Sequence, residues 1–349
     1  MRRISEGTER PTRSGPSAER QYSIGIRVTA DQLIGLLVDL NGDVVDLKVR
    51  ATDSETPGKV LRRHPLHGTS VDRVVSGVAA LAAELLAIRP EFKERAIGLG
   101  VSIGGHVDGE TGEVRYSPHF GWGETVPLAE RLREATDLSL VVLENDVNAL
   151  AGAQQWFGRG GNYQRFAVVK IGSGIGCGLF INNELERGTS GLAGELGHIP
   201  LERDGELCKC GKRGCLQTVA GGDAIMQALR REGRLDLRDV RAAAALVEGG
   251  DRVARQVFQQ AGEALGRGLA TLLNLLNLQA IGLCGEAALL NSGVYLDAVR
   301  GSLRLHAFST AADDCDLWIE ERTDELEARG AASMVFDHLV DVRDRATEQ

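Results

Sequence analysis

Two stretches far apart in the chain repeat one pattern of short apolar strands and sharp turns, and this repeat restricts the possible folds more than any other feature. The first runs YSIGIRV, LIGLLVDL and DVVDLKV from Tyr22, with Asn41-Gly42 as a hairpin turn between the second and third strands. The second runs FAVVKIGS, GCGLFIN and NELERG from Phe166, with a glycine-rich first turn and Asn182-Asn183 at the next. A helical stretch over about 70–88 and the strand AIGLGVSI follow the first triplet. Helices over 223–232, 238–248 and 251–277, the last containing a break, follow the second, and then the strand AIGLCG and a terminal helix after Gly330. Two halves of the form strand-strand-strand-helix-strand-helix predict a duplicated α/β unit. Residues 1–20 read as a tail or linker remnant, 21–145 as an N-terminal α/β lobe and 146–349 as a C-terminal α/β lobe. The last helix has the option of packing back on the N-terminal lobe. Ligands in such folds lie in the cleft between the halves, near the carboxyl ends of strands.

The charge balance narrows the partners. A net charge of −9 over 349 residues gives the body no overall basic character for non-specific nucleic-acid binding. No run reaches the roughly 18 apolar residues that span a bilayer. The opening MRRISEGTERPTRSGPSAER lacks the apolar core of a secretory signal. A cytoplasmic, membrane-free location is therefore expected, and in that reducing compartment clustered cysteines read as metal ligands before disulfides.

Three of the six cysteines fall within GHIPLERDGELCKCGKRGCLQ, which has the spacing H-x9-C-x-C-x4-C. His198, Cys208, Cys210 and Cys215 make a complete tetrahedral zinc set, with Gly211 and Gly214 letting the loop turn around the ion. The alternative is three structural thiols and an unrelated histidine, but buried structural thiols seldom cluster in a polar, glycine-rich loop. A site closed by four protein ligands is structural and does not activate water.

A second group of polar residues surrounds the presumed cleft. LENDVNALAGAQQWF puts Asn145 and Asp146 where a strand passes into a helix. A carboxylate there is stabilised by the helix's positive end and is placed to accept a proton, although taken alone a plain helix cap explains it better. In GTSGLAGELGHIPLE, Glu195 and His198 are three residues apart and share a face on a helical turn. With one imidazole nitrogen on zinc, the other is oriented to donate to a ligand.

ENDVNA, KIGSGIGCGLF, GLAGELGH and CKCGKRGCLQ, in this order and spacing, resemble the ROK (Repressor/ORF/Kinase) family along nearly the whole chain. The segment GVSIGGHVDGETGEVRYSPHFGW fits the family's strand and loop before the sugar site. The resemblance implies an actin-like, RNase H-like two-lobed ATPase-type fold with an interlobe cleft. It further implies that Asn145, Asp146, Glu195 and His198 hydrogen-bond sugar hydroxyls, with Gly105 lining the site through its backbone. In the family's kinases the aspartate at Asp146 is the base that deprotonates the accepting hydroxyl. Gln217 stands where the family usually has a sugar-binding glutamate, which alters the polarity there.

The nucleotide side is less complete. Family kinases open with a D-x-G-x-T phosphate loop; here the strand reads IGIRVTADQ, with Arg27 at the aspartate and Thr29-Ala30 in place of the turn glycines. An arginine does not hold Mg²⁺, and side chains obstruct close backbone approach to phosphate. The second phosphate loop keeps Gly172, Ser173, Gly174, Gly176 and Gly178, while the late adenosine segment is reduced to Cys284-Gly285-Glu286. The resemblance thus favours a sugar-sensing regulator, or its effector domain, binding a hexose-type sugar or its phosphate and forming a homo-oligomer. An ATP- and Mg²⁺-dependent sugar kinase is the alternative, and a vestigial interaction protein a third reading. Family regulators join a winged helix-turn-helix to this body. GTERPTRSGPSAERQYSIGI resembles the linker between the two, so DNA contact is expected only through a missing or unannotated N-terminal module. A short uninformative tail is the plain alternative.

Overall fold

All seven residues from Tyr22 to Val28 are buried, so both faces of this strand are covered and it belongs at the centre of its sheet. In the computed structural model, which describes residues 21–47, 58–321 and 324–347, it holds that place. The first sheet runs Leu61–Pro65, Gln32–Asp39, Tyr22–Val28, Ala96–Ile103, Val141–Asn145. The second runs Glu184–Leu185, Ile175–Ile181, Arg165–Ile171, Ala280–Gly285, Asp316–Glu321. In each, the first two pairings are antiparallel and the last two parallel. The same order with the same senses is the duplicated, actin-like two-lobed fold. Asn182 and Asn183, at φ 58° and 66°, make the turn of the second repeat as their residue type suggests.

The C-terminal helix Asp324–Thr347 leaves the last strand of the second sheet and lies across the first. Its small residues Ala328, Ala331 and Ala332 approach so closely that a side chain at Gly25 or Gly100 would collide with the carbonyls of Ala328 and Ala331. Ser23 Oγ donates to Ala332 O at 3.0 Å from the first strand. The helix also crosses Asp146–Phe157 at Gly330, where a Cβ would strike Ala149 O. One helix therefore bears on the first sheet and on the helix that leads out of it.

Two expectations need correction. The third strand of the opening meander is shorter than DVVDLKV. Val44 bridges Val38 and Val45 N donates to Leu37 O at 2.9 Å, but Asp46–Leu47 turns to pair with Gly58–Lys59, and Lys48 and Val49 lie outside the described residues, as do residues 1–20. The sheet's outer strand is LRRHP, Leu61–Pro65. Its charges suit an exposed edge, which discourages pairing with other chains, but they hide the alternation by which a strand is recognised. The break expected within 251–277 is also absent: Arg252–Leu276 is one helix of 25 residues. Its Gly262 and Gly266 face the helix Gly293–His306, and Gly266 sits against Val299 O. Each glycine costs about 1 kcal/mol of helix propensity, which packing of this buried face exceeds. Among the described residues, no helix is long and apolar enough to cross a membrane.

Candidate functional site

The strand Val141–Asn145 ends where the helix Asp146–Phe157 begins, and Asn145 is the cap. Its Oδ1 accepts from Val147 N at 2.8 Å and from Asn148 N at 3.4 Å, while its Nδ2 donates to Gly105 O at 2.9 Å. Gly105 needs its φ of 135°, a backbone that other residues rarely adopt. Asn145 thus ties the glycine turn to the helix start and keeps one amide hydrogen for a ligand. Behind it, Glu144 is buried and takes hydrogen bonds from Asn145 N and Asn148 Nδ2, each at 2.9 Å, and from Arg187 Nε at 2.7 Å. Arg187 opens the loop that leads to Glu195, and His106 Nε2 meets Ser190 O in that loop at 2.6 Å.

Asp146 extends toward the second sheet. Its Oδ2 lies 2.6 Å from Lys170 Nζ, and Lys170 Nζ lies 3.0 Å from Glu327 Oε1 on the C-terminal helix. The other oxygen of Glu327 pairs with Arg27 Nε. Burial pushes the Asp146 carboxyl up, but the Lys170 ammonium, with Arg27 and His119, more than offsets this and holds it below the usual aspartate value. His119 sits on a stiff loop: Ser117 and Trp122 exchange backbone hydrogen bonds at 3.0 Å, Ser117 Oγ donates to Gly104 O at 2.5 Å, and Trp122 Nε1 donates to Thr69 O at 2.7 Å.

The cysteine loop closes as its spacing suggests. The donor atoms of His198, Cys208, Cys210 and Cys215 lie within 4.8 Å of one another. Cys210 Sγ to Cys215 Sγ is 3.7 Å and Cys208 Sγ to His198 Nδ1 is 3.5 Å. A tetrahedron of metal–sulfur bonds near 2.3 Å has edges of about 3.8 Å, so the set fits zinc. Burial and the neighbouring thiols push Cys215 up to about 12, and a divalent cation would reverse that. His198 presents Nδ1 to the sulfurs, while its Nε2 stands 3.7 Å from Glu195 Oε2. Glu195 leads into the short helical turn Leu196–His198, which puts both side chains on one face.

The glycine loop at 172–178 lies between these groups: Gly176 packs on Val147, and Gly174 faces Gln217 Oε1. Gln217 Nε2 donates to Cys208 Sγ at 3.2 Å, so this residue also braces the cysteine loop. Carbonyls of the glycine loop are engaged, Gly172 O and Ser173 O accepting from Gly222 N and Asp223 N at 2.8 and 3.2 Å. The opening loop is closed by its own groups: Thr29 N donates to Gln32 O at 2.9 Å through the backbone, and Thr29 Oγ1 donates to Asp31 Oδ1 at 2.7 Å. Gly285, at the late glycine segment, has φ 126° and packs on Ile171 O.

Gly105, Asn145 and Asp146 are thus brought to one corner, Glu195, His198, Gln217 and the cysteines to another, and the glycine loop touches both. Sequence reading missed Glu144, Lys170, Arg187, Glu327 and His119. Lys170 did carry a signal, a charge inside the apolar strand FAVVKIGS; Glu327, on a helix with charges along much of its length, carried none.

The profile described as the ROK family matches residues 25–338. The xylose repressor of Bacillus subtilis strain 168 is 29% identical over 339 residues, covering 97% of this chain and 83% of the repressor. The glucokinase of Thermotoga maritima is 31% identical over 263 residues, covering 72% of this chain and 80% of the enzyme. Among solved structures, a ROK family transcriptional regulator, a homologue of the E. coli MLC protein, superposes with a TM-score of 0.75 at 24% identity. That match covers 90% of this chain and 78% of the regulator's.

Proposed function

The chain belongs to the ROK family, and from that premise we propose that it is a sugar-sensing protein, the effector-binding body of a transcriptional regulator. It takes a hexose- or pentose-type sugar at Gly105, Asn145, Asp146, Glu195 and His198. The observation that carries this reading against an enzyme is the Lys170 ammonium 2.6 Å from Asp146 Oδ2. A general base must gain a proton from the hydroxyl it activates, and an ammonium at hydrogen-bonding distance lowers its affinity for that proton. The same carboxylate still serves as a hydrogen-bond acceptor. Arg27, where the kinases hold a carboxylate, supports the same reading, because phosphoryl transfer needs Mg²⁺ and a phosphate cradle as well as a base.

Zinc in this reading is held by His198, Cys208, Cys210 and Cys215. When bound, it fixes the cysteine loop and the imidazole tautomer, leaving Nε2 of His198 for a sugar hydroxyl beside Glu195. The body carries a net charge of −9, so DNA contact would come through an additional N-terminal module. Leu275, Leu305 and Phe308, at 75%, 78% and 81% exposure, support a homo-oligomer, which light scattering measures.

The second reading, an ATP-dependent sugar kinase with Asp146 as base, is favoured by the position of Asp146 and by the glycine loop. Two measurements decide between them. Glucose, xylose or N-acetylglucosamine should raise the melting temperature, because a ligand selective for the native state stabilises it by mass action. Glu195→Ala should abolish the rise by removing a charged acceptor. Coupled ADP release across the same sugars should equal the Asp146→Asn blank. Robust turnover that vanishes in Asp146→Asn would establish the kinase instead.

A further inference from the structure

The first strands of the two sheets occupy equivalent places, and the sixth of seven residues is a cation in each: Arg27 in Tyr22–Val28 and Lys170 in Arg165–Ile171. The helices that follow the two outermost parallel strands carry the answering carboxylates, Asp146 in Asp146–Phe157 and Glu327 in Asp324–Thr347. The duplication therefore yields a pseudo-symmetric quartet joined in one line. Asp146 Oδ2 meets Lys170 Nζ at 2.6 Å, Lys170 Nζ meets Glu327 Oε1 at 3.0 Å, and Glu327 Oε2 meets Arg27 Nε. Side-chain exposure is 0% for Glu327, 7% for Arg27 and 13% for Lys170, and it rises to 25% only at Asp146. A buried carboxylate without a counter-ion costs several kcal/mol, so each charge is bound where it stands.

Resting on the sugar-binding reading above, we propose that Glu327 is a positioning residue for the sugar site, and that the quartet makes this a site for neutral sugars rather than phosphorylated ones. Glu327 holds Lys170, and Lys170 engages Oδ2 of Asp146. Oδ1 is left toward Gly104, where a Cβ would lie 3.9 Å from that oxygen and 3.5 Å from His119 Cδ2. That corner offers a hydroxyl an ionised acceptor and an imidazole side by side. Two positive and two negative charges cancel within the quartet. A phosphate entering there would meet cations already facing Glu327, and His119 would be the remaining basic group beside Asp146. It would also approach the carboxylate of Asp146. Desolvating a phosphate against carboxylates is unfavourable, whereas a neutral hydroxyl loses little.

Calorimetry on the full chain tests this, with the sugar that raises the melting temperature, its phosphate ester, and inorganic phosphate as titrants. Wild type should bind the sugar and give no heat with phosphate. Glu327→Gln keeps the shape but leaves the quartet with one net positive charge. It should bind the sugar at least about tenfold more weakly, a change of about 1.4 kcal/mol, and should begin to bind inorganic phosphate. Lys170→Met/Glu327→Gln restores charge balance, so it should lose sugar affinity without gaining phosphate, which separates the charge effect from damage to the fold. The proposal is overturned if wild type takes phosphate or the phosphate ester as tightly as the sugar. It is overturned equally if Glu327→Gln binds every titrant as wild type does. A wild type that answers to no sugar overturns the sugar-sensing reading itself, and the proposal with it.

Discussion

About one zinc ion per chain should be found in the purified protein by elemental analysis, and Cys210→Ser should lose it together with sugar affinity and a large part of the thermal stability. The four donor atoms already lie within 4.8 Å of one another, so binding needs little rearrangement. The loop that carries them is otherwise held mainly by short-range hydrogen bonds of its own, Cys208 N to Lys212 O at 2.7 Å and Gly214 N to Glu206 O at 2.9 Å among them. Leu201 N to Gly214 O at 2.8 Å and Leu216 N to Ile199 O at 3.0 Å hold its base, and Gly211 N to Cys208 O at 2.9 Å holds its tip. Structural zinc binds with an apparent free energy of about 10–16 kcal/mol, and part of that is folding free energy of the loop. Loss of one thiolate should therefore cost several kcal/mol, seen as a lower melting temperature and as protease cleavage within 199–217. The sugar site suffers through His198, whose ring loses its anchor at Nδ1. A metal-free wild type that is fully folded and binds sugar as well as the loaded protein would contradict the assignment.

The other large effect is expected at Glu144. This carboxylate is 1% exposed and ties together three parts of the site: the cap at Asn145, the helix at Asn148 and the loop beginning at Arg187. Glu144→Ala leaves the Asn145 amide and the Asn148 side chain without their acceptor and Arg187 without its counter-ion. Breaking a buried pair costs about 3–5 kcal/mol. The Arg187 side chain is 31% exposed, so water recovers part of that and roughly 3 kcal/mol is a fair figure. Glu144→Gln should cost less, because the amide oxygen still accepts from the backbone. Denaturant melts measure both. Sugar affinity should fall with Glu144→Ala even at temperatures where the protein is folded, because the loop leading to Glu195 loses its tie. Equal stability of Glu144→Ala and wild type would show that the network contributes nothing.

What could be read from the residues alone was what short spacing encodes. A strand, a tight turn, a metal loop and a helix cap each lie within a dozen or so residues, where backbone geometry leaves few arrangements. The first two strands of each triplet, the closeness of His198, Cys208, Cys210 and Cys215, and the cap at Asn145 were legible for that reason. The outer strand Leu61–Pro65 was not, because an exposed edge follows no apolar alternation, and the long helix kept its glycines because a neighbouring helix fills the space beside them. How the charges of the cleft pair with one another was beyond reach. Arg27 and Glu327 stand 300 residues apart, and Asp146 and Lys170 stand 24 apart on different elements. Only the folding-back of the C-terminal helix on the first sheet brings Glu327 between Arg27 and Lys170. An ion pair between distant residues depends on where whole elements pack, and no local pattern records that. The sequence carried the groups proposed to meet a sugar; the tertiary structure decided which of them are already held by one another.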